Sequence, residues 1–297
     1  KKSAKIFNIS TCWVKSKQDC SGSMDANHFA YCLRQMRKND PNLKPLVNVN
    51  LGTTFKGAVD HLGQLNAVLM SLQFDPDHIW FHGDAALQGH MLPFLPQASE
   101  LMPFTLRRDD PRFVPLHSIS LSAHKFLGAP FPCGVVLYQR CASERALEQS
   151  EEILSQDVPL LGYTRPGYFQ VHGSITSGTK NPYMAVVIWK RVQELGMDGL
   201  RDFSLNSLAL SEYAEQQLIK HQQETGVRVF RHDHSNILTL SPPPSQRNMD
   251  KYGLPTEPSD QGDISHFVVM PHVSKSVIDA FIQDLIDDPS LFEHHMI

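Results

Sequence analysis

The stretch from Leu116 to Tyr138, LHSISLSAHKFLGAPFPCGVVLY, constrains what this chain can fold into more than any other. Ser118, Ile119, Ser120, Leu121 and Ser122 alternate small hydroxylated and apolar side chains, the period-two signature of a β-strand. Gly128, Pro130, Pro132 and Gly134 interrupt the pattern, and Val135 to Tyr138 resumes it as a second strand. His124 and Lys125 therefore stand just past a strand end. A lone lysine in a loop is ordinarily a solvated surface group, and it is the histidine and hydroxyls beside this one that set it apart.

Two other strand candidates end in polar, glycine-containing loops. Leu46 to Leu51 (LVNVNL) alternates and runs into Gly52, Thr53 and Thr54. Functional loops in α/β sheets lie at the carboxyl ends of parallel strands, so these threonines can face a ligand; the same residues fit a turn whose threonine caps a helix. Ile79 to Phe81 is a short apolar strand followed by His82, Gly83, Asp84, Ala85 and Ala86. A carboxylate there can hold a proton on an aromatic ring nitrogen. His82 and Asp84 could also form half of a metal site, but no third ligand stands at suitable spacing.

Helical patterns fill much of the remainder. An amphipathic stretch with Phe29, Leu33 and Met36 on one face follows a turn at Ser23 to Asn27; others run over His61 to Leu72, Tyr183 to Leu195, Leu200 to Gln223 and Lys275 to Ile286. Gln88 to Pro115 reads as loop and short helix, and Cys141 to Leu154 as an exposed charged helix. Gly178, Thr179, Lys180 and Asn181 open the helix at Tyr183, either as a cap or as a phosphate cradle. Strands Gly226 to Phe230, Ile237 to Leu240 and His266 to Met270, with a proline-rich loop over Ser241 to Gly262, suggest a small α+β domain. The expected division is residues 1–199 and 200–297. His232 and His234 read as an exposed turn.

Composition excludes several classes. The 297 residues carry 27 Lys and Arg against 31 Asp and Glu, without a block of one sign, so neither nucleic acid nor a membrane surface is an expected partner. No apolar run reaches the roughly 18 residues of a membrane span. Five cysteines without a CxxC pair fit reduced thiols in the cytoplasm, and no metal is expected.

A lysine beside a histidine and hydroxyls suits covalent capture of an aldehyde cofactor that also carries a phosphate. The run Ser122, Ala123, His124, Lys125, followed by Gly128, Pro130, Pro132, Cys133 and Gly134, resembles the cofactor-binding segment of group II pyridoxal-phosphate decarboxylases, in the branch of histidine and serine decarboxylases. Ala123 replaces that branch's glycine. The Asn-x-Gly-Thr-Thr loop and His-x-Asp-Ala-Ala at His82 to Ala86 carry the same resemblance. It implies an α/β fold of type I, with a mostly parallel sheet covered by helices, and decarboxylation of an L-amino acid, histidine first, with pyridoxal 5'-phosphate.

By that resemblance Lys125 holds the cofactor and Asp84 faces its ring nitrogen. Ala86 lies against the ring, Thr53 contacts the cofactor, and Ser122 and His124 bind the phosphate. His82 positions ring or substrate. Lys180, where the family has arginine, reaches the neighbouring subunit's site in a homodimer. Cysteine desulfurases and aminotransferases, which share the fold, are the alternative, and a silent subunit is another. The family's upstream phosphate loop and ring-stacking histidine have no counterpart in these residues. The resemblance therefore implies a parent polypeptide longer at its N-terminus, and weak cofactor binding by this stretch alone.

Overall fold

The structure, a computed structural model, describes residues 9–17, 21–96, 114–139, 182–243, 245–259 and 262–288. Helix α1 (Ala26–Asn39) leads into the first sheet. Asp25 caps it, accepting from the N–H groups of Asn27 and His28 at 2.8 and 3.1 Å, and Arg37 and Lys38 occupy the last turn, where the helix dipole favours cations. Strands β1 (Leu46–Asn50), β2 (Trp80–Asp84), β3 (Ser118–Ser122) and β4 (Gly134–Tyr138) lie side by side in that order; the first three are parallel and β4 is antiparallel to β3. Parallel neighbours need a long crossover, and α2 (Leu62–Ser71) supplies the one between β1 and β2.

The alternation in these strands separates two faces. Val47, Val49, Phe81 and Ile119 point into a core with Phe29 and Leu33 of α1 and Leu62, Leu65 and Leu69 of α2. The opposite face is polar. Asn48, His82 and Ser118 stand in register across β1 to β3, and Asn50, Asp84 and Ser120 form the next row toward the carboxyl ends.

The second part begins with α3 (Tyr183–Lys220) and continues through α4 (Gln222–Thr225), β5 (Val229–Arg231), β6 (Ile237–Leu240), α5 (Gln246–Tyr252), β7 (Thr256–Glu257), β8 (Ile264–Val268) and α6 (Lys275–Asp287). Its sheet has the order β5-β6-β8-β7 and is antiparallel throughout. Ala214 and Leu218 of α3 pack with Leu238, Leu240, Phe267 and Phe281 in a second core, while Leu208, further up α3, packs on the first.

Four expectations need correction. The helices expected over Tyr183 to Leu195 and Leu200 to Gln223 are one element broken at Gly196 alone (φ 59°, ψ −173°), and it ends at Lys220. The loop expected over Ser241 to Gly262 contains α5 and β7; α5 is capped by Ser245, which accepts from Asn248 N–H at 3.4 Å, and is ended by Gly253 at φ 59°. The strands expected at Gly226 to Phe230 and His266 to Met270 are shifted, because left-handed Gly226 closes α4 and the ladder to β6 ends at the Ile237–Val268 pair. His232 and His234 are half-buried, their rings stacked at 5.2 Å. His232 Nε2–H donates to the Ser21 carbonyl at 2.9 Å.

Among the described residues, the bonds that join the two parts include that histidine contact, Gln88 Nε2–H to Ser235 Oγ at 2.7 Å, and Thr239 Oγ1–H to the Phe55 carbonyl at 2.8 Å. At this seam Gly57 has φ 62°, and a Cβ on it would lie 2.0 Å from Ser235 Oγ.

Candidate active site

The loops after β1, β2 and β3 leave the same edge of the parallel sheet, so Thr53, the Asp84 to Ala86 turn and the His124–Lys125 turn share one end of the fold. Backbone bonds knit the second and third together. Ala85 N–H donates to the Ser120 carbonyl and Ser122 N–H to the Ala86 carbonyl, both at 3.0 Å. Lys125 N–H then closes a tight turn on the Ser122 carbonyl at 3.1 Å, and Gly128, at φ 71°, accepts the left-handed conformation that ends it. Asp84 is exposed and Ala86 half-buried; the Ala86 N–H reaches Asp84 Oδ1 at 3.3 Å. Lys125 is half-buried, without an ionic partner among the described residues.

His124 is oriented by the segment that follows it. Its Nδ1 lies 3.0 Å from Cys133 N and 2.9 Å from Cys133 O. The Cys133 carbonyl already accepts from Ala123 N–H at 3.1 Å, so the consistent assignment has Nδ1 accepting from Cys133 N–H. The proton then sits on Nε2, which is left as an outward donor.

His82 is fixed in the same manner. Trp80 Nε1–H donates to Ser118 Oγ at 3.0 Å, and the Ser118 hydroxyl, 2.7 Å from His82 Nδ1, donates onward to it. Burial lowers the His82 pKa, and the neighbouring Asp84 charge opposes part of that shift. His82 is thus a neutral imidazole with a free Nε2–H beside a carboxylate.

Thr53 serves its own loop: its Oγ1 accepts from Ala58 N–H at 3.0 Å, which leaves the hydroxyl proton for another acceptor. No helix begins there, so the capping alternative falls away; α2 starts at Leu62. Thr54 is exposed and Ser122 half-buried. Lys180 lies outside the described residues, as does the helix expected over Cys141 to Leu154.

Three residues emerge from the structure without having been singled out in the sequence. Ser118 sets the tautomer of His82, and only the register of β2 against β3 brings the two together. Asp60 is 2% exposed and accepts from Met24 N–H at 2.6 Å and from the Asn50 N–H and side-chain amide at 2.7 and 3.2 Å. Burial raises its pKa, while the bonds from Asn50 and Met24 pull it back down. Gln88 is fully buried against Gly52 and Gly57. Its polarity gave no sign of that.

Residues 1–237 match the pyridoxal-dependent decarboxylase conserved domain. The chain belongs to the pyridoxal-dependent decarboxylase family. Within it, the similarity runs to the branch of histidine and serine decarboxylases. Serine decarboxylase 3 of Oryza sativa subsp. japonica is 30% identical over 283 residues, which cover 95% of this chain and 55% of that protein. Histidine decarboxylase of Pseudomonas entomophila is 31% identical over 248 residues, covering 83% and 53%. The chain thus spans about half the length of the curated relatives it matches. Among solved structures, L-methionine decarboxylase from Streptomyces sp.590 superposes with a TM-score of 0.73 at 20% identity, covering 94% of this chain and 61% of that one. Glutamate decarboxylase of Lactobacillus brevis gives 0.66 at 19%, covering 97% and 63%. The fold of this pyridoxal-dependent decarboxylase chain is type I, and its mixed, mostly parallel sheet agrees with that.

The residues at the sheet edge fit pyridoxal phosphate. An amine without an ionic partner among the described residues, an exposed carboxylate and an imidazole with an outward N–H stand on loops bonded to one another. Among the described residues no group of three or more His, Cys, Asp or Glu could hold a metal ion, and no helix is long and apolar enough to cross a membrane.

Proposed function

We propose that this chain carries the core of a pyridoxal-phosphate-dependent decarboxylase acting on an L-amino acid, with histidine as the first candidate substrate and serine as the second. The carrying observation is the Ser122 N–H to Ala86 O bond, which fastens the Lys125 turn to the Asp84 turn. When bound, the cofactor supplies an electron sink for the carbanion left as carbon dioxide departs.

The protein's part is positional and electrostatic. Lys125 would supply the amine that holds the cofactor. Asp84 keeps a proton on the ring nitrogen. His124 donates from Nε2–H to the phosphate, with Ser122 beside it, and Thr53 offers its remaining hydroxyl proton. Ala86 leaves room at the ring face, and His82, neutral and held by Ser118, donates from Nε2–H toward ring or substrate. The same reading includes a homodimer in which Lys180 reaches the neighbouring site. It is supported by the exposed apolar residues Tyr183, Val186 and Trp189 on the first turns of α3, which call for a covering surface. A domain boundary near residue 200 is supported by the two separate cores and the break at Gly196.

Borohydride reduction of the cofactor-loaded protein, then peptide mapping, should place the label on Lys125. Incubation with single amino acids should release carbon dioxide and the matching amine. Release of sulfide or a keto acid would instead favour a desulfurase or an aminotransferase, and a label on another lysine would overturn the assignment of Lys125.

A further inference from the structure

Trp80, His82 and Asp84 alternate along β2 and so share one face of the sheet. Ser118 of β3 stands opposite His82 in register, and Asn48 of β1 flanks it on the other side. Two bonds meet at the Ser118 hydroxyl: its oxygen lies 3.0 Å from Trp80 Nε1 and 2.7 Å from His82 Nδ1. An indole N–H can only donate, so the oxygen accepts from Trp80. Ser118 is 6% exposed, and among the described residues His82 Nδ1 is the acceptor placed to receive its proton. The bonds therefore point one way, from indole to hydroxyl to imidazole. The indole is itself held. His117 stacks on it with ring centroids 5.0 Å apart and planes 23° apart, and His117 Nδ1 accepts from Phe81 N–H at 3.0 Å, which anchors the stack to the strand carrying Trp80.

We propose that Trp80 and Ser118 are positioning residues for the reaction, a one-way relay that bars a proton from His82 Nδ1 and so leaves the Asp84 carboxylate to the ring nitrogen. This rests on the decarboxylase reading of the site. A second proton on His82 could enter only at Nδ1, where the Ser118 hydroxyl already points its own. The hydroxyl would have to turn away, and its proton, in a buried place, would lose its acceptor.

The benefit lies at Asp84. An imidazolium at His82, two residues away on the same face, would pair with that carboxylate and weaken its hold on the ring nitrogen's proton. Burial of His82 works in the same sense as the relay, lowering its pKa, and Asp84 is the charged group among the described residues that opposes it. Asn48, the neighbour from β1, carries no charge. The relay thus keeps His82 a donor through Nε2–H at pH values where a solvated imidazole would begin to charge.

The test is heteronuclear NMR of the chain labelled with nitrogen-15 histidine, titrated over pH without cofactor, with His82 assigned by its loss in His82→Gln. In the wild type, neutral His82 should show Nδ1 as an unprotonated nitrogen and Nε2 as a protonated one. Ser118→Ala should raise its titration midpoint by about 0.5–1 pH unit, the worth of one neutral hydrogen bond, and admit the Nδ1–H tautomer. Trp80→Phe, which keeps a ring against His117, should raise the midpoint by less. Ser118→Thr retains the hydroxyl and should match the wild type, and with Trp80→Phe it decides the matter if Ser118→Ala does not fold. With cofactor bound, the acid limb of carbon dioxide release should move to higher pH in the same order. A protonated Nδ1 in the wild type, or a midpoint unmoved by Trp80→Phe, would overturn the proposal. Shifted midpoints in a protein that releases no carbon dioxide would count against the decarboxylase reading and not against the relay.

Discussion

Asp84 is exposed, and its carboxylate receives one weak backbone bond, from Ala86 at 3.3 Å. Asp84→Ala should therefore leave stability within about 0.5 kcal/mol of the parent. As the partner of a ring nitrogen its loss should lower turnover on the order of 100- to 1,000-fold, the scale of a main electrostatic contributor. Parallel denaturation and carbon dioxide release assays separate the two effects, and normal turnover would assign the ring nitrogen another partner. The buried histidines govern a different property. Burial takes His90 and His234 from the ordinary 6.5 down to about 4, with the His232 charge adding to the shift at His234. The unfolded chain takes up protons near pH 6.5 that the folded chain refuses until about pH 4, so stability is full above 6.5 and drains as pH falls toward 4. Asp60, raised by burial, works in the opposite sense, because protonating it relieves a penalty. Melting temperature should thus fall between pH 6.5 and 4.5. His90→Phe, which keeps the stack on Phe126 and removes a ring nitrogen lacking a partner among the described residues, should flatten the profile. A midpoint that stays level over that range would mean these imidazoles are not buried neutral.

Gly196 interrupts α3 with φ 59° and ψ −173°, a combination open essentially to glycine, although no packed neighbour among the described residues lies within 4 Å of where its Cβ would be. Gly196→Ala meets no clash and should cost only backbone strain, about 1–3 kcal/mol in a denaturant titration. No change would mean the helix simply straightens. Elements of this kind mark the limit of sequence legibility here. Strands β1 to β4 were readable because Val47, Val49, Phe81 and Ile119 alternate with polar neighbours, and α1, α2 and α6 because their apolar residues recur at helical spacing. The gap left between the helices expected over Tyr183 to Leu195 and Leu200 to Gln223 is in fact continuous helix but for Gly196. Helix α5, QRNMDKY, has no apolar stripe to announce it; it is held by Ser245, by left-handed Gly253, and by Asn248 donating to the Asp284 carbonyl of α6 at 3.0 Å. In the candidate site, Lys125, His124, Asp84 and Thr53 were legible as polar residues at strand ends. Ser118 and Asp60 were not, since what they do is fixed by strand register and by a contact with residue 24 across the fold.

The whole molecule depends on a seam with little tolerance. Gly57 packs so closely on Ser235 that an added methyl would lie 2.0 Å from its oxygen and 2.8 Å from its Cβ, at a backbone angle side chains rarely adopt. Gly57→Ala should cost more than about 2 kcal/mol, and Ser235→Gly in the same chain should restore only part, because the strain at φ 62° remains. Thermal denaturation of the single and double variants measures both. Full stability in Gly57→Ala would mean that the two sheets can separate at no expense. The bonds across this seam also set a timetable. They join positions 147, 184 and 211 residues apart, so their closure waits on ordering nearly the whole chain. During synthesis, at about 5–20 residues per second, β1 to β4 leave the ribosome well before β6 does. Through that interval Gln88 has no Ser235 to bond, and the loop bearing Thr53 lacks the wall against which it is shaped. A nascent chain paused before β6 would therefore expose the Gly52 to Gly57 loop, the sort of half-formed surface on which chaperones act and from which aggregates grow.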